Sequence, residues 1–159
     1  MISHAGTIAL VEDNDDDLFF MKRALKAAEI TNPLQAMGSG EEAIEYFTQQ
    51  AKQSDRNRFP LPFLLLLDLK LPVMSGFEVL KWVRRHPTLH AMPIIVLTTS
   101  GESKDISKAY ESGANSFLVK PSGSEELLDL VIALKQYWLF HNSFTGLATE
   151  PKTREIHGA

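Results

Sequence analysis

Five short apolar runs, each followed by a stretch of helical periodicity, restrict this chain to a narrow set of folds. Thr7 to Val11 reads as a buried strand that stops at Glu12-Asp13, and Leu18, Met21, Leu25 and Ala28 then recur on one helix face. Pro33 to Met37 is a weaker second strand. Ser39 with Glu42 predicts a capping box, opening a helix that buries Ala43, Ile44, Phe47 and Ala51. The polar stretch Lys52 to Phe59 reads as an exposed connection. Phe63 to Leu67 is a wholly apolar strand ending in Asp68; Pro72 and Gly76 break the chain before a helix carrying Phe77, Leu80 and Val83, which stops at His86-Pro87. Pro93 opens a fourth strand, Ile94 to Leu97, and a short helix with Ile106, Ala109 and Tyr110 ends at Gly113. Phe117 to Val119 is the fifth strand. The last helix is expected to begin at a second capping box, Ser122 with Glu125, and to bury Leu127, Val131, Leu134 and Trp138. Apolar strands between amphipathic helices require a parallel sheet covered on both faces. The expected fold is therefore α/β, a doubly wound five-stranded parallel sheet.

A chain of 159 residues suits one domain, read here as residues 1–142, with a tail over 143–159 expected to be flexible at its end. That tail is too short for a helix-turn-helix domain. A net charge of −4 gives no electrostatic ground for nucleic acid or an anionic membrane as partner. The absence of cysteine removes disulfides and thiol catalysis. The longest apolar run, Leu61 to Leu67, is interrupted by Pro62 and is far shorter than a membrane span. Met1 to Thr7 carries no targeting pattern, and a cytoplasmic location is expected.

In doubly wound sheets, sites form at the carboxyl ends of the strands. Here those ends are Glu12 and Asp13, Asp68, Thr98 and Lys120. Carboxylates gathered at one edge repel, and a hard divalent cation with oxygen ligands, Mg²⁺ above all, relieves the repulsion. The cation and Lys120 together would neutralise a phosphoryl group arriving at Asp68, since carboxylates serve as phosphoryl acceptors. The Thr98 hydroxyl would then donate to a phosphoryl oxygen only when one is present.

These pieces, in this order, resemble the two-component response regulator receiver family over about Thr7 to Trp138. The likeness rests on Leu10-Val11-Glu12-Asp13-Asn14, Leu66-Leu67-Asp68-Leu69, Leu71-Pro72-Val73-Met74-Ser75-Gly76, Val96-Leu97-Thr98 and Val119-Lys120-Pro121. It implies a (βα)5 flavodoxin-like receiver fold and a phosphorylated Asp68. It implies Mg²⁺ held by Asp13 and Asp68 directly, by Glu12 through water, and by the backbone carbonyl of Lys70. Phe117 takes the place of an aromatic that swings inward with the threonine, and the Lys120–Pro121 bond is cis in typical members. Lys70 and Ser100 stand at the two positions that tune dephosphorylation. The single-domain format, the long Ala51 to Phe63 connection and the Leu134-Lys135-Gln136-Tyr137-Trp138-Leu139 ending resemble the small regulators paired with cyanobacterial phytochrome histidine kinases. The resemblance thus implies a histidine kinase, phytochrome-type, as partner. It also implies a signalling protein that catalyses its own phosphorylation rather than an enzyme in the usual sense.

Each residue also has a plain structural reading. Asp15, Asp16 and Asp17 fall in a first helical turn, where the macrodipole favours acids, with Asp16 placed near the site. Thr99 rivals Thr98, and without the resemblance Phe117 is an ordinary strand aromatic. The five histidines lack metal spacing and read as surface residues. Tyr137, Trp138, Leu139, Phe140 and Phe144 cannot all be buried by one helix face, so Tyr137 and Phe140 are assigned to a homodimer built on the fourth and fifth helices and fifth strand. Two other functions compete with this reading. A flavin binder or a phosphatase on a related sheet is disfavoured by the acids after strand one and by Lys70, where the phosphatase needs a second aspartate. A receiver-like module that binds partners without phosphorylation is the alternative.

Overall fold

In the computed structural model, residues 6–52 and 61–143 are described. The strands are β1 (Thr7–Val11), β2 (Leu34–Met37), β3 (Pro62–Leu67), β4 (Ile94–Thr98) and β5 (Ser116–Val119). All pair in parallel, in the order β2-β1-β3-β4-β5. The helices between them are α1 (Asp15–Ala27), α2 (Gly40–Ala51), α3 (Gly76–Arg85), α4 (Ser103–Glu111) and α5 (Ser124–Leu134). The polar connection over 53–60, Phe144 and the rest of the tail, and His4 and His157 lie outside the described residues.

Strand periodicity of two sends alternate residues to opposite faces. Ile8, Leu10, Leu64, Leu66, Ile95 and Leu97 therefore pack against α1 and α5, with Met21, Leu25, Leu127 and Val131. Ala9, Val11, Leu65, Leu67, Ile94 and Val96 pack against α2 and α3, with Phe47, Leu80 and Val83. Each leucine so buried contributes about 2 kcal/mol. β3 is apolar throughout and β4 is apolar up to its last residue, Thr98, because both faces are covered. The strand order reverses between β1 and β3, and this crevice is where the loops after the two strands meet.

Several local expectations change. On α2, Tyr46 and Gln50 are buried, while Ile44 and Ala51 are only half-buried. Ser39 caps the Glu42 N–H as expected, but the Glu42 carboxylate reaches back to the N–H of Gly38 instead of Ser39. The complete capping box belongs to Ser75 and Glu78 on α3. The box expected at Ser122 does not form. Gly123 is the N-cap of α5, and the Glu126 carboxylate folds so close to it that an added Cβ would meet it at 1.9 Å. No cis peptide bond is present among the described residues, so the Lys120–Pro121 bond is trans, the isomer favoured for most X–Pro bonds.

Past Leu134, α5 widens into a π-helical stretch, Lys135–His141. The added residue in the turn moves the inward position from Trp138 to Leu139, which is buried, while Trp138 is half-buried. Lys135 Nζ donates to the Ala28 carbonyl at 2.8 Å and ties this stretch to the end of α1.

The end of α3 is fixed by two residues that periodicity does not reveal. Arg84 donates to the carbonyls of Gly113, His90 and Met92 and to Asn115 Oδ1, all at 2.7–2.8 Å, and so joins α3 to the loops before β4 and β5. His86 is half-buried rather than a plain surface residue: its Nδ1 accepts the N–H groups of Thr88 and Leu89 at 3.1 and 3.3 Å. Burial lowers the His86 pKa from 6.5, in keeping with an acceptor nitrogen that must stay unprotonated.

Replacing Arg84 with methionine orphans three carbonyls and lowers unfolding stability by about 3 kcal/mol, measured in urea. A histidine whose folded pKa is depressed contributes stability above its unfolded value and loses it as pH falls through the folded value. Stability is therefore expected to decline as pH drops below 6.5, and this part of the decline should vanish in His86→Asn.

Candidate functional site

Parallel pairing sets the ends of β1, β3, β4 and β5 side by side. Val11 pairs with Leu67, so Glu12 and Asp68 emerge as neighbours. Leu67 pairs with Val96 and Thr98 with Val119, which brings Thr98 and Lys120 to the same edge. The Lys120 N–H donates to the Thr98 carbonyl at 2.7 Å.

The Lys120 ammonium is the centre of the arrangement. It donates to Asp68 Oδ2 at 3.0 Å, to Asp17 Oδ2 at 3.2 Å, and to Glu12 Oε2. Glu12 and Asp68 are buried, and Asp13 is exposed beside them. Asp17 therefore borders the site where Asp16 was expected. Asn14 caps α1 by accepting the Asp17 N–H at 2.9 Å, which aims the first turn at Lys120.

Charge at this edge is unbalanced. Burial pushes the Glu12 carboxyl up to about 7, and the Asp68 charge pushes the same way against the Lys120 hydrogen bond. Burial alone would lower the Lys120 pKa, but its bond to Glu12 and the charges of Asp68 and Glu12 hold it above the usual lysine range. One ammonium thus faces more carboxylate charge than it can offset. Oxygens of Glu12, Asp13 and Asp68 lie within 4.8 Å of one another, the donor set for a hard cation, and a divalent ion fits their chemistry.

Thr98 is fully buried, and among the described residues its hydroxyl has no hydrogen-bond partner. Thr99 is exposed and lines a groove of about 600 Å³ with Leu10, Phe20, Met21, Lys120 and Leu127. Burial thus separates the two threonines that the sequence alone leaves as rivals. Phe117 pairs with Val96 and is half-buried against the cluster holding Phe77 and Ala109. Tyr137 is 55% exposed and lines a groove beside Leu118 and Leu130, whereas Phe140 is half-buried in a separate groove with Ala27 and Ala28.

The loop after β3 is held from two sides. The Lys70 N–H donates to Asp68 Oδ1 at 3.1 Å, and Lys70 Nζ lies 3.4 Å from Asp105 Oδ2. Gly76 packs so tightly beneath the loop that a Cβ would meet the Asp68 carbonyl oxygen at 2.1 Å. Asp105 and Asp17 were not singled out as site residues in the sequence. Only their helical register, one turn inside α4 and α1, signals them.

A family model described as the response regulator receiver domain matches residues 8–132. The probable methanogenesis regulatory protein FilR2 of Methanothrix harundinacea is 36% identical over 141 residues, covering 89% of this chain and 88% of its own length. Response regulator Rcp1 of Synechocystis sp. is 34% identical over 132 residues, 83% of this chain and 88% of its own. Its Mn²⁺-bound crystal structure superposes with a TM-score of 0.77 at 32% identity, over 88% of this chain and 99% of that one. The phosphorylated cyanobacterial phytochrome response regulator RcpA superposes with a TM-score of 0.77 at 31% identity, over 88% and 98%.

The Gly76→Ala variant is expected to lose about 2–3 kcal/mol, because the new methyl group must displace backbone rather than a side chain. Urea unfolding measures the loss, and a moved Asp68 carboxyl resonance in NMR reports the displaced loop.

Proposed function

The chain belongs to the response regulator receiver domain family, and from that premise we propose that it takes a phosphoryl group from a histidine kinase onto Asp68 and signals by changed protein contacts. Receiver domains catalyse this transfer themselves. The observation that carries the reading is the Lys120 ammonium, 3.0 Å from Asp68 Oδ2 inside a buried acid cluster.

In the transfer, an Asp68 carboxylate oxygen forms a bond to phosphorus and the donor's P–N bond breaks. The imidazole nitrogen leaves with the electron pair. Lys120 stays protonated and stands where charge gathers on the phosphoryl oxygens. The Lys70 N–H orients the acceptor through Oδ1. Mg²⁺, held by Asp13, Asp68, the Lys70 carbonyl and, through water, Glu12, would supply the remaining positive charge. The buried, unpartnered Thr98 hydroxyl gains an acceptor once the phosphoryl group arrives. Phe117, half-buried on the neighbouring strand β5, is the residue assigned to follow that movement. The phosphoryl group thereby shifts a two-state equilibrium.

A phytochrome-type kinase is the assigned donor, in line with the likeness to Rcp1 and RcpA. The output is assigned to a homodimer through α4, β5 and α5, where Tyr110, Val119 and Tyr137 are exposed. Phe140, half-buried in a separate groove, is assigned to the same dimer together with Tyr137. Residues 1–142 act as the receiver, in the cytoplasm, with no role for nucleic acid or membrane. Among the described residues no helix is long and apolar enough to cross a membrane.

Incubation with acetyl phosphate and Mg²⁺ is expected to give one phosphoryl adduct by intact mass, lost on chelation and absent from Asp68→Asn. Size-exclusion chromatography of the same samples is expected to show earlier elution of the phosphorylated form. A folded protein that takes no adduct would instead be a binding module that works without phosphorylation.

A further inference from the structure

Lys70 stands next to the acceptor, yet its ammonium is engaged elsewhere. Its side chain is 57% exposed and reaches Asp105, whose own side chain is 9% exposed, at 3.4 Å. The same Asp105 oxygen accepts the Ser100 hydroxyl at 2.6 Å, so it joins the acceptor loop, the loop after β4 and the first turn of α4. Helix α4 is otherwise held by Ala109 in the core and by Lys108 over the Phe77 ring. Its buried residues are Asp105 and Ala109, and Glu102 at its N-cap makes no side-chain cap. The hydrogen bond from Ser100 holds the Asp105 carboxyl below the usual carboxylate range against burial, and Lys70 adds to it, so this partner of Lys70 is a charged one.

We propose that Asp105 is a positioning residue that holds Lys70 away from the phosphoryl site, so that phosphorylation of Asp68 sets two anions in competition for one ammonium. The proposal rests on Asp68 as the acceptor. Before phosphorylation, Asp105 has the ammonium to itself. Afterwards a dianionic group stands two residues from Lys70, well inside the reach of its flexible stem. The side that holds Lys70 then decides two things. It decides whether the phosphoryl group is covered, and whether α4 keeps its charged tie to the acceptor loop.

Hydrolysis needs open access for water. A bond forms from water oxygen to phosphorus, the Asp68 oxygen–phosphorus bond breaks, and the carboxylate keeps the electron pair. Both water protons leave on dihydrogen phosphate. A lysine folded over the phosphoryl group blocks that approach, and Asp105 keeps the approach open by retaining the lysine.

The test compares phosphoryl half-life in the full-length native chain, Asp105→Asn, Lys70→Met and the double variant. Each is labelled with acetyl phosphate and Mg²⁺, freed of donor and followed by intact mass. Asparagine keeps an acceptor for Ser100 but cannot hold Lys70 by charge, and Lys70→Met changes an exposed side chain that the fold tolerates. Asp105→Asn is expected to lengthen the half-life about threefold, the scale of a partly exposed ion pair. The Asp105 substitution is expected to have no effect in the Lys70→Met background. Equal half-lives in native and Asp105→Asn proteins overturn the proposal. The same lengthening in the Lys70→Met background also overturns it, because Asp105 would then act through Ser100 and α4 alone. No adduct in the folded native chain overturns the acceptor assignment and the competition with it.

Discussion

One ammonium permits three carboxylates to share the end of a sheet. Lys120 reaches Glu12, Asp17 and Asp68 together, and without it two buried acids would face each other with no counter-charge. The rest of the edge follows from this contact. Lys120 can stand there because β5 runs beside β4, and Asp68 and Glu12 can stand there because β3 runs beside β1. The apolar layers on both faces make that register hard to slip, since a one-residue shift would turn every inward leucine outward. Packing thus supplies precision to a site whose charged groups, Glu12, Asp13, Asp68 and Lys120, are not themselves apolar.

The carboxylates still outnumber the ammonium, and the raised Glu12 pKa expresses that shortage. A site short of positive charge favours a cation, and a site already holding a fixed ammonium favours an anion that brings its own counter-ion. Both preferences agree with the phosphoryl transfer proposed above, in which a divalent metal would share the charge.

Much of this was legible in the sequence because it depends on period and on chain breaks. Strand positions, helix order and the four polar strand ends follow from runs such as Phe63 to Leu67 and stops such as His86-Pro87. What was not legible depends on distance. Arg84 looks like any basic residue at the end of a helix until the loops of β4 and β5 fold around it. Tyr46 and Gln50 are buried on α2 because helix packing, not hydropathy, decides which edge of the stripe is covered. Asp17 and Asp105 read as ordinary first-turn acids, and only the third dimension brings Lys120 and Lys70 to them. The capping signal misleads at Ser122 because Gly123 takes the cap one residue later.

The widened turn beyond Leu134 separates two design problems. A regular helix locks the angular phase of everything downstream to the core that anchors it. Here the extra residue resets that phase, and Leu139 takes the inward place that helical spacing gives to Trp138. Gain or loss of one residue in this stretch would rotate the terminal aromatics to a new bearing while β1, β3 and β5 keep their register. The exposed aromatic surface at this end can therefore change its bearing while the acid cluster at the far end of the sheet stays as it is.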